Sequence, residues 1–573
     1  MDDDLEARVR EAAEIAALEN AVRHGTDAQV DAIMGPLMAD HPQFRPHADA
    51  IPGVIAPVVE SVNDLDPSER RDRLAAIAPE RLEAIEREAE AESEDQGLPD
   101  LPNVEAVDEV RLRMAPNPNG PWHLGSARMG AVIGRYAERY DGSFICRFDD
   151  TDPETKRPDL SAYDAILEDV AYLGFEPDEV VYASDRLETY YEHARALIDA
   201  GGAYTCSCPA EDFSERKAAG EPCPHRDKDV DTVHEEFDGM VADAYDPGEM
   251  VLRVRTDIEH KNPALRDWVA FRMVGRDHPR PAAAGYRCWP MLDFQSGIDD
   301  HLTGVTHIIR GIDLQDSAKR QQFVYDYFDW EYPEVLHWGH VQVDAYDVPM
   351  STSSIADLIT AGELDGWDDP RAPTIRSLRR RGIRGTAIVE AMADLGLSTS
   401  DVSLSMSSVY AYNRELIDDT ADRRFLVRDG VRRQIVGGPD AGHPPRHPDH
   451  PDRGDRELSV AGGVLIEPED LPSHGDRVWL KGYGCVRVTR DALEYTGDDI
   501  DVVRSGPVDV VHWVPAADGV PVQLRTPDGD VDGIAEPGLT DHAVDDVIQF
   551  ERVGFARIDA QDHDPVVCYY AHP

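Results

Sequence analysis

Val110-Arg111-Leu112-Arg113-Met114-Ala115-Pro116-Asn117-Pro118-Asn119-Gly120-Pro121-Trp122-His123-Leu124-Gly125-Ser126 is the stretch from which the fold is read. Val110, Leu112 and Met114 alternate with Arg111 and Arg113, the two-residue period of a half-buried strand. Pro116 to Pro121 carries prolines, asparagines and a glycine and has to turn. Beyond it Leu124, Met129, Val132, Ile133, Tyr136 and Tyr140 recur at helical spacing. Arg113 and the turn therefore lie between the C-terminal end of a strand and the N-terminus of a helix. Open α/β sheets bind ligands there, and a helix N-terminus attracts phosphate.

Working outward, a second strand over Phe144–Phe148 runs into Asp149-Asp150-Thr151-Asp152, and a third apolar run, Val305 to Ile309, ends at Arg310. Three apolar strands ending in polar groups predict one crevice at a sheet edge. Taken alone, this supports a nucleotide-binding α/β domain and nothing narrower. Residues 1 to about 92 read as helical, through Leu5, Ala12, Ile15, Leu18 and Val22, then Val30, Ile33, Met34 and Leu37. The polar stretch Ala91–Asn103 reads as a linker. From about Val409 the period shortens. Val460–Ile466, Arg477–Leu480, Cys485–Val488, Val508–Val514, Val520–Leu524 and Val547–Phe550 read as strands of β-barrels or sandwiches.

Composition narrows the class. A chain of 573 residues is too long for one core and predicts three to five domains. No apolar run is long enough to span a membrane, and the acidic start Met1-Asp2-Asp3-Asp4 lacks a signal-peptide core, so a cytoplasmic protein is expected. The seven cysteines do not form a disulfide framework. With 113 acidic against 57 basic residues the net charge is -56, spread along the whole chain, and only six of the basic residues are lysines. In dilute buffer such a surface repels itself and nucleic acid. At molar salt the screening length falls to about 3 Å, so the composition reads as halophilic.

The turn and helix of residues 116–126 resemble the "HIGH" region of class I aminoacyl-tRNA synthetases in its glutamyl/glutaminyl form. Arg147-Phe148-Asp149-Asp150-Thr151-Asp152-Pro153 resembles a second motif of that subfamily, and Met291-Leu292-Asp293-Phe294 with Gly304-Val305-Thr306-His307 a third. His447-Pro448, Pro451, Gly454 and Arg456, then His512-Trp513-Val514 and Gln549-Phe550-Glu551-Arg552, are similar to motifs of glutaminyl-type anticodon barrels. Barrels at that end point to the archaeal type of glutamyl-tRNA synthetase, in a haloarchaeal version. The resemblance implies a multidomain α/β plus all-β protein. Its parts would be an N-terminal helical extension (1–100), a class I Rossmann-type catalytic domain in two halves (101–205 and 291–355), an acceptor-stem insertion (206–290), a helical connecting domain (356–420) and anticodon-binding β-barrels (421–573).

The implied reaction ligates L-glutamate to tRNA-Glu through a glutamyl-adenylate, with ATP and Mg²⁺ and without DNA or membrane partners; many archaeal relatives also charge tRNA-Gln. By the same resemblance Pro116, Asn117, Pro118, Asn119, Gly120, His123, Gly125 and Ser126 hold ATP, with Ser126 where the motif has its second histidine. Asp149 holds the substrate ammonium, and Arg113 lies near its carboxylates or pairs with a residue such as Asp149. Arg310 selects glutamate, because a buried carboxylate needs a fixed guanidinium and a neutral amide would leave it unpaired. Leu292 stands where many relatives have a side-chain-reading tyrosine. Pro349-Met350-Ser351-Thr352-Ser353 aligns with the "KMSKS" loop, with Pro349 and Thr352 replacing both lysines; Met350, Ser351 and Ser353 remain to hold phosphate.

Cys206-x-Cys208 and Cys223-x-His225 are four ligands suited to a closed tetrahedral structural zinc site, or thiols that simply pack. His443, His447 and His450 read as a loop. Arg376, Arg379, Arg380 and Arg381 lie in the densest basic run and are expected along the inside of the tRNA, or on a solvated helix face. Competing functions are a glutaminyl enzyme, a catalytically silent RNA-binding relative, and a nucleotidyltransferase in which the barrels would have no purpose.

Overall fold

The computed structural model describes residues 3–24, 28–30, 33–34, 37–38, 41, 44, 51–63, 65–79, 81–82 and 97–573 except 345, 506 and 507. The chain divides into two compact units after Gly97. In the first, α1 (Asp3–His24), α2 (Ile51–Asn63) and α3 (Pro67–Ile77) share one core. Val9, Ala13, Ala17 and Ala21 repeat every fourth residue, a buried stripe small enough to admit Ile51, Ile55, Val59 and Val62 of α2. Of the apolar series expected at Val30–Leu37, residues 31, 32, 35 and 36 lie outside the described residues.

The second unit begins earlier than the linker reading implied. Leu98 and Pro99 offer their carbonyls to Arg139 and Tyr136, and Pro102 offers its carbonyl to His307, so residues 98–102 are docked chain. Next come β1 (Arg111–Met114), α4 (Leu124–Arg139), β2 (Ser143–Phe148), α5 (Leu160–Tyr172) and β3 (Glu179–Tyr182). The three strands are parallel in the order β1-β2-β3, with Arg113 opposite Ile145. All six residues of β2 are buried, as a central parallel strand covered on both faces should be.

After α6 (Leu187–Asp199) the chain forms an antiparallel sheet in sequence order: β4 (Ala203–Cys206), then α7 (Ala210–Ala219) and α8 (Val230–Val241), then β5 (Val251–Val254), β6 (Val269–Met273) and β7 (Cys288–Pro290). It returns through α9 (Leu292–Leu302) to β8 (His307–Gly311), α10 (Gln315–Phe328) and β9 (Glu334–Trp338), with β8 and β9 parallel. Thr306 N donates to Arg111 O, which sets β8 beside β1. Arg310 thus lies inside β8 and not beyond its end.

Next come β10 (Val341–Val343), α11 (Thr352–Ala361), α12 (Ile375–Arg381), α13 (Gly385–Ala393), β11 (Val402–Leu404) and α14 (Met406–Ile417). The rest is mainly two seven-stranded sheets, with a separate two-stranded ribbon of Ala441–Gly442 and Leu458–Ser459 and a short helix, Asp501–Ser505. One takes its strands from 423–427 and 520–572, the other from 431–515, so the second is built while the first is interrupted. The run expected as one strand over Val508–Val514 is two, Val510–Val511 and Val514–Pro515. It breaks where His512 Nε2 donates inward to Leu426 O and Trp513 Nε1 to Lys481 O. The motif residues of this region are ties within the fold. His447 Nε2 donates to Asp418 O, and Arg456 holds Glu536 and Glu551.

Candidate active site

A cavity of about 450 Å³ opens at the C-terminal ends of β1, β2 and β8, closed on one side by the N-terminus of α9. Three residues expected from the sequence to grip an amino acid, Arg113, Asp149 and Arg310, line it together with Asn117 of the turn. Leu292, 39 % exposed, lines it too.

Arg113 does not pair with Asp149. Its Nε donates to Asp300 Oδ1 at 3.0 Å, and Arg147 Nη1 reaches the same oxygen at 2.6 Å. Arg147 Nε then holds Asp149 Oδ1 at 2.7 Å, with Gln295 Nε2 at 3.2 Å. Two guanidinium groups face two carboxylates here, all buried or nearly so. Burial alone would raise Asp300, but Arg113 and Arg147 outweigh it and hold its carboxyl below the ordinary range. At Asp149 burial prevails over the pull of Arg147 and Arg113 and pushes the carboxyl up. Arg147 and Asp300 were not foreseen as site residues. Arg147 carries a signal, since a charge inside an otherwise apolar buried strand needs a partner.

Arg310 is the exception to this pairing. It is 6 % exposed, and among the described residues Nη1 and Nη2 donate only to neutral groups: Gln321 Oε1, at 3.2 Å from each, and Tyr332 Oη at 3.0 Å. Gln321 is held by Ser296 and Tyr332, and Arg310 Nε is buried without a partner among the described residues. Burial draws the Arg310 pKa down, as expected of a cation without a counter-ion. The Gln321 and Tyr332 supports were invisible in sequence, being 11 and 22 residues away on other elements.

The nucleotide residues form a second cluster around the start of α4. His123 is its N-cap residue, and its Nε2 lies 3.2 Å from Ser126 Oγ. Its Nδ1 is buried without a partner among the described residues, and burial lowers the imidazole to about 4, so the ring is neutral near pH 7. A side-chain carbon at Gly125 would lie 3.1 Å from the His123 ring and 3.9 Å from Met350 Sδ, and one at Gly120 would meet Thr352 Cγ2 at 2.5 Å. The Met350–Ser353 loop therefore packs against the turn, with Ser351 Oγ and Ser353 Oγ 3.1 Å apart. The turn also anchors the chain after β2: Asp149 N donates to Pro116 O, Asp159 N to Pro118 O, and Asn117 Nδ2 to Asp149 O; Asn119 N bonds back to Asn117 O.

A second recess adjoins the cavity, sharing Met291, Leu292 and Ser317 and lined by Lys217, Arg253, Arg320, Phe213 and Trp268. Arg320 pairs with Asp293, whereas Lys217 and Arg253 make no ion pair among the described residues. Among the described residues Trp268 Nε1 and Arg253 Nε are buried without partners. Burial, then Arg320 and Arg253, lower Lys217 to about 8. Behind this recess, Cys206, Cys208, Cys223 and His225 bring their ligand atoms within 4.8 Å of one another. Cys206 Sγ and Cys223 Sγ are 3.8 Å apart, and Cys208 Sγ is 3.4 Å from His225 Nδ1. A tetrahedron with Zn–S bonds of about 2.3 Å has edges of roughly 3.8 Å, so the donor set fits zinc.

The basic run separates into kinds. Arg381 is 1 % exposed and donates to Tyr570 O and Ala571 O, which removes it from the residues able to meet a nucleic acid: its guanidinium fastens α12 to the C-terminal sheet. Arg376 pairs with Glu168, and Arg380 with Asp559 and Asp368. Arg379, stacked over Tyr172, and Arg384 are exposed and make no ion pair among the described residues. All but Arg381 line one polar groove with Arg557.

The family described as tRNA synthetases class I (E and Q), catalytic domain, matches residues 109–419, and the anticodon-binding domains of the same class match 421–503 and 510–559. A glutamate–tRNA ligase of Haloarcula marismortui is 70 % identical over all of both chains, and one of Natronomonas pharaonis 66 % identical over all of both. One from Methanosarcina mazei is 44 % identical over 97 % of each. The chain belongs to the glutamyl/glutaminyl family of class I aminoacyl-tRNA synthetases.

Proposed function

We propose that the chain ligates L-glutamate to tRNA in two steps, with ATP taken together with Mg²⁺. The single observation that carries the choice of amino acid is Arg310, a buried guanidinium with neutral partners only, facing the cavity that also holds Asp149. Arg113, Arg147, Lys156, Arg272 and Arg310 line the cavity against Asp149, Asp152 and Asp313, with Asp300 bound behind them, so five positive charges meet four negative ones and one positive charge is in excess. Glutamate, with two carboxylates and one ammonium, carries the complementary charge. Asp149 receives the ammonium and Arg310 the side-chain carboxylate; Arg113 and Arg147 hold the acids in place. Each charged hydrogen bond contributes roughly 1.5–3 kcal/mol, one to two decades of preference over glutamine.

In the first step the α-carboxylate attacks the α-phosphate of ATP. The nucleotide lies at the start of α4, where Pro116 to Gly120, His123, Gly125, Ser126, Met350, Ser351 and Ser353 surround it. Neutral His123 offers a hydrogen bond and no charge. In the second step a ribose hydroxyl of the terminal tRNA adenosine attacks the activated carbonyl and AMP leaves. Positioning and charge stabilisation carry both steps. The Lys217–Arg253–Arg320 recess next to the cavity receives the phosphates of that terminus, and Arg379 and Arg384 meet the tRNA backbone further along.

Cys206, Cys208, Cys223 and His225 hold a structural zinc ion that stiffens the insertion beside this recess. Purified protein is expected to contain one zinc per chain by elemental analysis, and Cys206→Ser to contain none. The chain works in the cytosol at high salt; no described helix is long and apolar enough to cross a membrane. The deciding experiment is aminoacylation in concentrated KCl with glutamate or glutamine and with tRNA-Glu or tRNA-Gln. Glutamate joined to tRNA-Glu is expected, and glutamate on tRNA-Gln as well would make the enzyme non-discriminating. Preferential use of glutamine would overturn the reading.

A further inference from the structure

The loop aligned with "KMSKS" carries no cation, yet charge builds on phosphate oxygens during adenylate formation. Five cations line the main cavity: Arg113, Arg147, Lys156, Arg272 and Arg310. Arg113 and Arg147 are bound to Asp300 and Asp149, Arg272 to Asp152 at 2.8 Å, and Arg310 is aimed at the substrate side chain. Lys156 makes no ion pair among the described residues, in a chain where acids outnumber bases 113 to 57. Of the acids that line the same cavity, Asp149 is held by Arg147, and Asp152 Oδ1 accepts from Glu154 N, Thr155 N and Arg272.

The backbone carbonyl of Lys156 is tied to the turn, and the side chain of the next residue is anchored elsewhere. Asn117 Nδ2 reaches Lys156 O at 3.4 Å, and Arg157 Nη1 donates to Asp277 O at 2.7 Å. With Asp149 and Asp159 bonded to Pro116 and Pro118, the segment is laid against the turn that opens α4, where a helix N-terminus favours phosphate. Lys156 therefore lines the cavity from a segment tied to that turn.

We propose that Lys156 is the catalytic cation that meets the ATP phosphates in adenylate formation, supplying the charge that Pro349 and Thr352 do not. The assignment rests on the ligase reading above. A glutamate α-carboxylate oxygen bonds to the α-phosphorus as the bond from that phosphorus to the bridging oxygen of the β-phosphate breaks. Pyrophosphate leaves with the electron pair. No proton moves, and Lys156 stays protonated and neutralises the charge growing on the oxygens.

The test uses the full chain in concentrated KCl with tRNA-Glu present in every exchange assay, and compares Lys156→Ala and Lys156→Arg with wild type. Glutamate-dependent ATP–pyrophosphate exchange should fall about 100-fold in kcat for Lys156→Ala, the usual scale for losing one preorganised charge-stabilising group. Lys156→Arg should return to within tenfold of wild type. KM for glutamate should stay within twofold, and single-turnover transfer from preformed glutamyl-adenylate to tRNA should be unchanged. Exchange within threefold of wild type in Lys156→Ala, or an equal loss in exchange and transfer, overturns the proposal. Absence of exchange in the wild-type chain sinks the ligase reading and this assignment with it, whereas active wild type beside active Lys156→Ala sinks this assignment alone.

Discussion

Two clusters of buried charge in this molecule look alike in composition and differ in what they leave open. In the C-terminal half Arg456 holds Glu536 at 2.6 Å and Glu551 at 3.0 Å, while Arg424 sits between Asp422 and Glu536. In the catalytic half Arg113 and Arg147 are bound just as closely to Asp300 and Asp149, but Arg310 beside them has only an amide and a phenol. The first cluster is closed and joins elements. The second is one anion short, and the missing anion has a cavity to occupy. Burial of charge alone therefore does not mark a binding site; a buried cation that lacks a counter-charge and faces a void does.

The sharpest way to break this contrast is Arg456→Ala. It leaves the buried Glu536 with only the more distant Arg424, at 3.7 Å, and Glu551 with Lys481, which should cost about 3 kcal/mol in urea unfolding while leaving exchange per folded molecule unchanged. A loss of activity without a loss of stability would place that cluster in the reaction. Next in size is Arg310→Gln. Glutamate-dependent exchange should drop roughly 100-fold in kcat/KM, the worth of the charged hydrogen bonds to the side-chain carboxylate, with the melting temperature nearly unmoved. A variant that melts early but keeps its preference for glutamate would make Arg310 a structural residue like Arg456.

The smallest effect separates free from spent arginines on the polar groove. Arg379→Glu with Arg384→Glu should raise KM for tRNA about tenfold near 0.2 M salt and less at molar salt, because phosphate contacts weaken steeply as salt rises. Equal tRNA affinity in the double variant at both salts would mean that unpaired arginines at this surface do not touch RNA.

What the amino-acid order determined by itself is everything that depends on local period and on residue type at fixed spacing. The strand–turn–helix at 110–140 could be read because alternation, a proline-rich turn and a helical stripe each have a distinct signature. The pairs Cys206-x-Cys208 and Cys223-x-His225 could be read because a metal site needs particular donors close together. The halophilic composition needed no structure at all. Tertiary structure alone decided who pairs with whom. Arg113 found Asp300, 187 residues away, in place of Asp149, and Arg381, one of a run of three arginines, turned inward to the carbonyls of Tyr570 and Ala571. Whether a charge is spent or available depends on its neighbours in space, and those are brought together by strands and helices far apart in the chain.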